Sequence, residues 1–139
     1  MLSFSLLLTL LGCGSTESLP RVDGAVVDPA SWSQQMESVT AMVETVREAH
    51  ADGNRERAVA ACDHAYHDLF RAQFVPSAKG IVPPADLLAA EYAFGRLRWT
   101  AARPKSNDVN KAVQTVNDAL DQLVQTMEKV NKPSAPAAE

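Results

Sequence analysis

The feature that most limits how this chain can fold lies near its C-terminus, where Val109, Val113, Val116, Leu120, Leu123, Met127 and Val130 recur at alternating spacings of four and three. Residues three and four apart are neighbours around an α-helix, so this rhythm puts all seven on one side of one helix. A strand would need an alternation of period two. The helix is expected to open at a cap on Ser106 or Asn107 and to stop at Pro133, which cannot continue it.

Three more helices follow from the same reasoning. Asp28-Pro29 offers a capping side chain and a proline at the first helical position, and Trp32, Met36, Val39, Val43 and Val46 then trace one stripe that ends near Gly53. A second helix is expected from Asn54 to about Phe74, with Val59, Cys62, Ala65, Tyr66, Leu69 and Phe70 on its apolar face. Pro76, Ser77 and Gly80 mark residues 75–82 as a loop. The third helix starts at Pro83-Pro84 and ends before Pro104. Short connections make each helix return beside the last, so residues 28–132 are expected to form an all-α, up-down-up-down four-helix bundle. The two helical hairpins have the length of a tetratricopeptide unit but lack its Trp, Gly, Tyr and Pro pattern, which makes a solenoid the lesser reading.

The N-terminus carries a second kind of information. Residues 2–11 form an apolar run closed by Gly12-Cys13, within the ~7–15 residues of a signal core and short of the ~20 that span a bilayer. It has the form of a bacterial lipoprotein signal, with residues 1–12 removed and Cys13 carrying acyl chains such as palmitate. Gly12 and Gly14 supply small residues beside the cut, although no Lys or Arg precedes the run. Gly14, where an Asp would resemble the inner-membrane retention signal, favours the outer membrane, facing the periplasm. Residues 13–27 are expected to be a flexible tether, and the Pro/Ala-rich residues 133–139 a disordered tail.

Charge and cysteine count then narrow the function classes. A net charge of −4 argues against nucleic acid, which selects clustered Lys and Arg. With Cys13 lipidated, the second of the two cysteines, Cys62, has no disulfide partner; it falls on an apolar face and is expected to fill core with a raised pKa. His-Glu-x-x-His, Gly-x-Ser-x-Gly, Cys-x-x-Cys-His and phosphate-loop patterns are absent, so no enzyme is expected.

Two groups of polar residues remain as candidate sites. His64, His67 and Asp68, with Asp63 beside them, have spacings suited to a transition metal ion, although helical phase turns them to solvent. His50 is expected to place a favourable charge at the end of the first helix. On the third helix the apolar positions Leu87, Phe94, Leu97 and Ala101, with Leu88, Tyr92 and Trp99 on the other flank, span more than half the circumference. Glu91 and Arg98 fall inside that arc and are expected to face inward, paired with each other or with another helix, or lining a ligand site together with Tyr66.

The stretches Ala65-Tyr66-His67-Asp68-Leu69-Phe70 and Ala90-Glu91-Tyr92-Ala93-Phe94-Gly95-Arg96-Leu97-Arg98 resemble the soluble extracytoplasmic helical domain of bacterial high-affinity iron permeases, related to imelysin-like periplasmic proteins. Tyr66, Phe70, Glu91, Phe94, Leu97 and Arg98 match its pattern; Arg71 and Phe74 stand where that family has acidic residues. The resemblance covers the second and third helices. It implies a helical fold and a place in an envelope metal-uptake system, rather than a preserved iron site. Two functions are therefore expected of this chain: a lipid-anchored binding module accessory to metal (iron) uptake, or a structural or interaction lipoprotein that docks an envelope protein partner.

Overall fold

The computed structural model describes residues 29–132; the signal-like segment, Cys13, the tether, Asp28 and the tail lie outside the described residues. Within them the chain is all-α, with four helices and no strand. The first helix spans Pro29–Ala51. The second is a continuous rod of three segments, Arg55–Asp63, His64–Phe74 and Val75–Ala78. The third spans Pro84–Ala101 and the fourth Val109–Asn131. The first and third helices each pack against both the second and the fourth, so the four close around one core. No helix among the described residues is long and apolar enough to cross a membrane.

The first turn shows how locally the chain is specified. Gly53 takes φ +77°, a left-handed conformation open to glycine at little cost, and its N–H reaches the carbonyl of His50 while that of Asn54 reaches Ala49. This is a Schellman closure of the first helix. Asn54 then accepts from the N–H of Arg57 at 3.0 Å and so caps the second helix. One residue ends one helix and its neighbour begins the next.

The second helix departs from expectation in its middle. Residues His64–Phe74 are π-helical, closing with a bond from the N–H of Val75 to the carbonyl of Phe70. A π turn holds more residues than an α turn, so each residue rotates less than the α-helical ~100°. The buried positions follow that wider winding: Ala65, Phe70, Phe74 and Ala78 are spaced five, four and four apart. Tyr66 and Leu69, expected on the apolar face, are only half-buried. The expected loop at 75–82 is half helix, because Val75–Ala78 carries on from the π segment as an α turn through Pro76, closed by the Lys79 N–H on the carbonyl of Val75. The reversal itself is confined to Lys79–Val82 around Gly80 at φ +88°.

Stripes on the first and fourth helices lie where their spacing puts them. Trp32, Met36, Val39, Val43, Val46 and Ala49 are buried against Val113, Val116, Leu120, Leu123 and Met127 in one core. Val130 is the exception at 63% exposure, since the packing ends one turn earlier at Trp32 and Met127. The fourth helix is entered through Asp108, rather than capped by Ser106 or Asn107; Ser106 instead accepts from the Asp108 N–H at 3.3 Å. Phe70, Phe74 and Phe94 stack at the heart of the second and third helices, with ring centres 5.7 and 5.2 Å apart.

Candidate functional site

The third helix is apolar on two opposite sides. Ala90, Ala93, Phe94, Leu97 and Ala101 face the core. Leu88, Tyr92 and Trp99 point the other way, 65%, 69% and 54% exposed. The sequence had merged these two faces into one wide buried arc; small alanines at 90, 93 and 101 take the core positions and rotate the larger residues out. Glu91 and Arg98 consequently lie on the flank between the two faces, against the second helix, and not in the interior.

Neither charge pairs with the other. Arg98 instead grips Asp63 on the second helix, Nε to Oδ1 at 2.7 Å and Nη2 to Oδ2 at 3.3 Å. Hydrogen bonding and the charge of Asp63 raise the Arg98 pKa above its ordinary value. Glu91 meets Arg71, also on the second helix, at 3.9 Å. Arg71 sits 5.8 Å above the ring of Tyr66, so Tyr66, Arg71 and Glu91 form one surface chain in which the cation links two residues expected to bind a ligand. Side chains here are 34% to 57% exposed, which limits each pair to roughly 0–1 kcal/mol. The partners Asp63 and Arg71 carry a signal in the sequence, since opposite charges stand at matched distances either side of the turn between the second and third helices.

The histidines are only partly brought together. His64 Nδ1 lies 2.7 Å from Asp68 Oδ2, both exposed. His67 turns away and packs edge-on to Tyr66, 4.7 Å between ring centres. π winding explains the split: residues four apart come nearly into line, while residues three apart diverge. Among the described residues no group of three or more His, Cys, Asp or Glu is gathered to hold a metal ion. His50 lies in the last turn of the first helix, and its Nε2 also lies 3.0 Å from the carbonyl of Arg103 in the loop before the fourth helix.

Cys62 is buried, and its thiol reaches the carbonyl of Phe94 at 3.8 Å. Burial foremost, and then the charge of Asp63, push this thiol up to about 12, with Arg98 pulling weakly the other way. At neutral pH it is protonated and shielded, as expected of a core residue.

The exposed face of the third helix is the remaining feature. Arg103 lies over Trp99, guanidinium to ring centre 3.4 Å, which carries positive charge onto the apolar stripe. Beside it, a groove of about 400 Å³ between the third and fourth helices is lined by Tyr92, Arg96, Thr100, Asp108, Lys111 and Thr115. A shallow, open depression of about 460 Å³ between the first and fourth helices is lined by Met36, Ala41 and Val124 together with Glu37 and Asp121. Compared with protein-family models, curated proteins and solved structures, the chain matches none.

Proposed function

We propose that this chain is a lipid-anchored, non-catalytic interaction module of the bacterial envelope. Anchored at Cys13 to the outer membrane, it docks a protein partner through Leu88, Tyr92 and Trp99. The observation that carries the reading is the unpartnered apolar face. A helix whose core side is already satisfied has no folding need for a Leu, a Tyr and a Trp in line on its outer side, and exposed aromatic side chains aligned in this way are suited to anchor a partner. The four helices run up-down-up-down in this reading. Its support is the register of contacts: numbers rise along one helix as they fall along its neighbour, from Asp63 with Arg98 to Arg71 with Glu91, while Glu44 accepts from Asn117 between the first and fourth helices.

The metal-uptake reading draws on the family resemblance and on the His64–Asp68 pair, one nitrogen and one oxygen donor 2.7 Å apart. Metal held there would need further ligands from another molecule. Titrating the chain with Fe, Cu and Zn separates the two readings.

The docking reading is tested by a photo-crosslinking benzoylphenylalanine placed at Tyr92 in living cells, with the same residue at exposed Gln122 as control. A discrete light-dependent adduct from position 92 alone is expected. No adduct, or the same adduct from both positions, would overturn it.

A further inference from the structure

Two surfaces of this chain are complementary to each other, and the inference drawn from them rests on the docking reading above. One is the third-helix stripe of Leu88, Tyr92 and Trp99 with Arg103 stacked on Trp99 and Arg96 beside Tyr92. The other is a shallow, open face between the first and fourth helices, where Met36, Ala41 and Val124 lie beside the carboxylates of Glu37 and Asp121. Arg96 and Arg103 belong to no ion pair among the described residues, and neither do Glu37 and Asp121. We propose that the partner of the third-helix face is a second copy of this chain, whose acid-flanked face between the first and fourth helices meets the stripe head to tail.

Charge selects this occupant. Arg96 and Arg103 would meet the carboxylates of Glu37 and Asp121, with Met36 and Val124 beside them to receive the aromatic stripe. Two stripes set face to face would also bring Arg96 and Arg103 of each copy together, a like-charge contact that disfavours the symmetric dimer. An anionic bilayer would attract those arginines but meet a chain whose net charge is −4. Head to tail, each copy offers two cations to two carboxylates while Trp99 and Tyr92 leave water. Because donor and acceptor surfaces differ, such pairing propagates into a ring or filament instead of closing as a two-fold dimer. Anchoring every copy to one membrane confines them to a layer and raises their effective concentration.

The test is cysteine cross-linking in intact cells with the full chain. One copy carries Tyr92→Cys, a differently tagged copy carries Thr40→Cys at the acid-flanked face, and a short bismaleimide bridges thiols within reach. Cys62 is buried and stays silent. A cross-link between the two kinds of copy is expected, with none between two copies that both carry Tyr92→Cys. Arg96→Glu on the first copy should cut its yield about tenfold. Glu37→Arg with Asp121→Arg on the second copy should restore it, which excludes misfolding as the cause of the loss. Absence of the mixed cross-link, an equal yield between identical copies, or a yield indifferent to charge reversal would overturn self-pairing. The photo-adduct from position 92 then tells the two failures apart: an adduct with a different protein keeps the docking reading, and no adduct removes both.

Discussion

Arg98 Nε lies 2.7 Å from Asp63 Oδ1 across the second and third helices. The contact lies on the flank of the third helix, whose rotation is set by the packing of Ala90, Ala93, Phe94, Leu97 and Ala101 into the core. In that rotation Leu97 falls into the core and Trp99 falls outside it.

Replacing Arg98 by Met, or Asp63 by Asn, is accordingly expected to cost no more than about 1 kcal/mol, because both groups keep much of their water. Urea unfolding of the variants and their double-mutant cycle measures it. A coupling of 3 kcal/mol or more, on the order reported for broken buried pairs, would show that the pair is enclosed.

The two apolar faces of the third helix should respond oppositely to truncation. Leu97→Ala removes a fully buried side chain and is expected to destabilise by about 2–5 kcal/mol. Leu88→Ala, on the exposed face, should stay within about 0.5 kcal/mol. Thermal melts of the two variants decide it, and similar losses from both would mean that Leu88 is core.

Cys62 gives the fold an alkaline limit. Its folded pKa, about 12, stands above the ordinary 9.0, so the folded state holds this proton more tightly than the unfolded chain. The contribution is complete below pH 9.0 and disappears as pH climbs towards about 12. Over that window the slope approaches about 1.4 kcal/mol per pH unit. Cys62→Ala is expected to lower stability at neutral pH and to flatten the alkaline decline, read as urea midpoints against pH. A decline of equal slope in the variant would assign it to other groups.

Cys13→Ser is expected to release the chain from the membrane fraction or leave it unprocessed. Fractionation with mass analysis reports this directly. Unchanged partitioning and mass would remove the anchor from the account.

Much of the fold was legible because the first and fourth helices each carry one stripe of large apolar residues, which specifies a phase by itself. Val39, Val43, Val113 and Leu120 are buried where their spacing puts them. The second helix was legible only as far as Asp63. From His64 onward the backbone winds as a π-helix, and no residue type announces that change; it separates His67 from His64 and sends Phe74 inward. On the third helix the reading failed for a different reason. Hydrophobicity weighs Leu88, Tyr92 and Trp99 above Ala90, Ala93 and Ala101, yet the tight packing beside Phe70 and Phe94 admits the small residues and expels the large. The candidate site was hidden by the same error. Glu91 and Arg98 drew attention as buried charges, while the real anomaly was the trio of apolar residues around them.

A docking face must be covered in the cell, and for Leu88, Tyr92 and Trp99 this can be measured directly. Hydroxyl-radical footprinting, performed on intact cells and on the purified chain, reads this residue by residue. Trp99 and Tyr92 are expected to be modified readily in the purified, dilute chain and strongly protected in cells. Val130, 63% exposed on the fourth helix, should be labelled equally in both. Equal modification of Trp99 in cells and in isolation would contradict the account, since a face that stays open to water in its own compartment docks nothing.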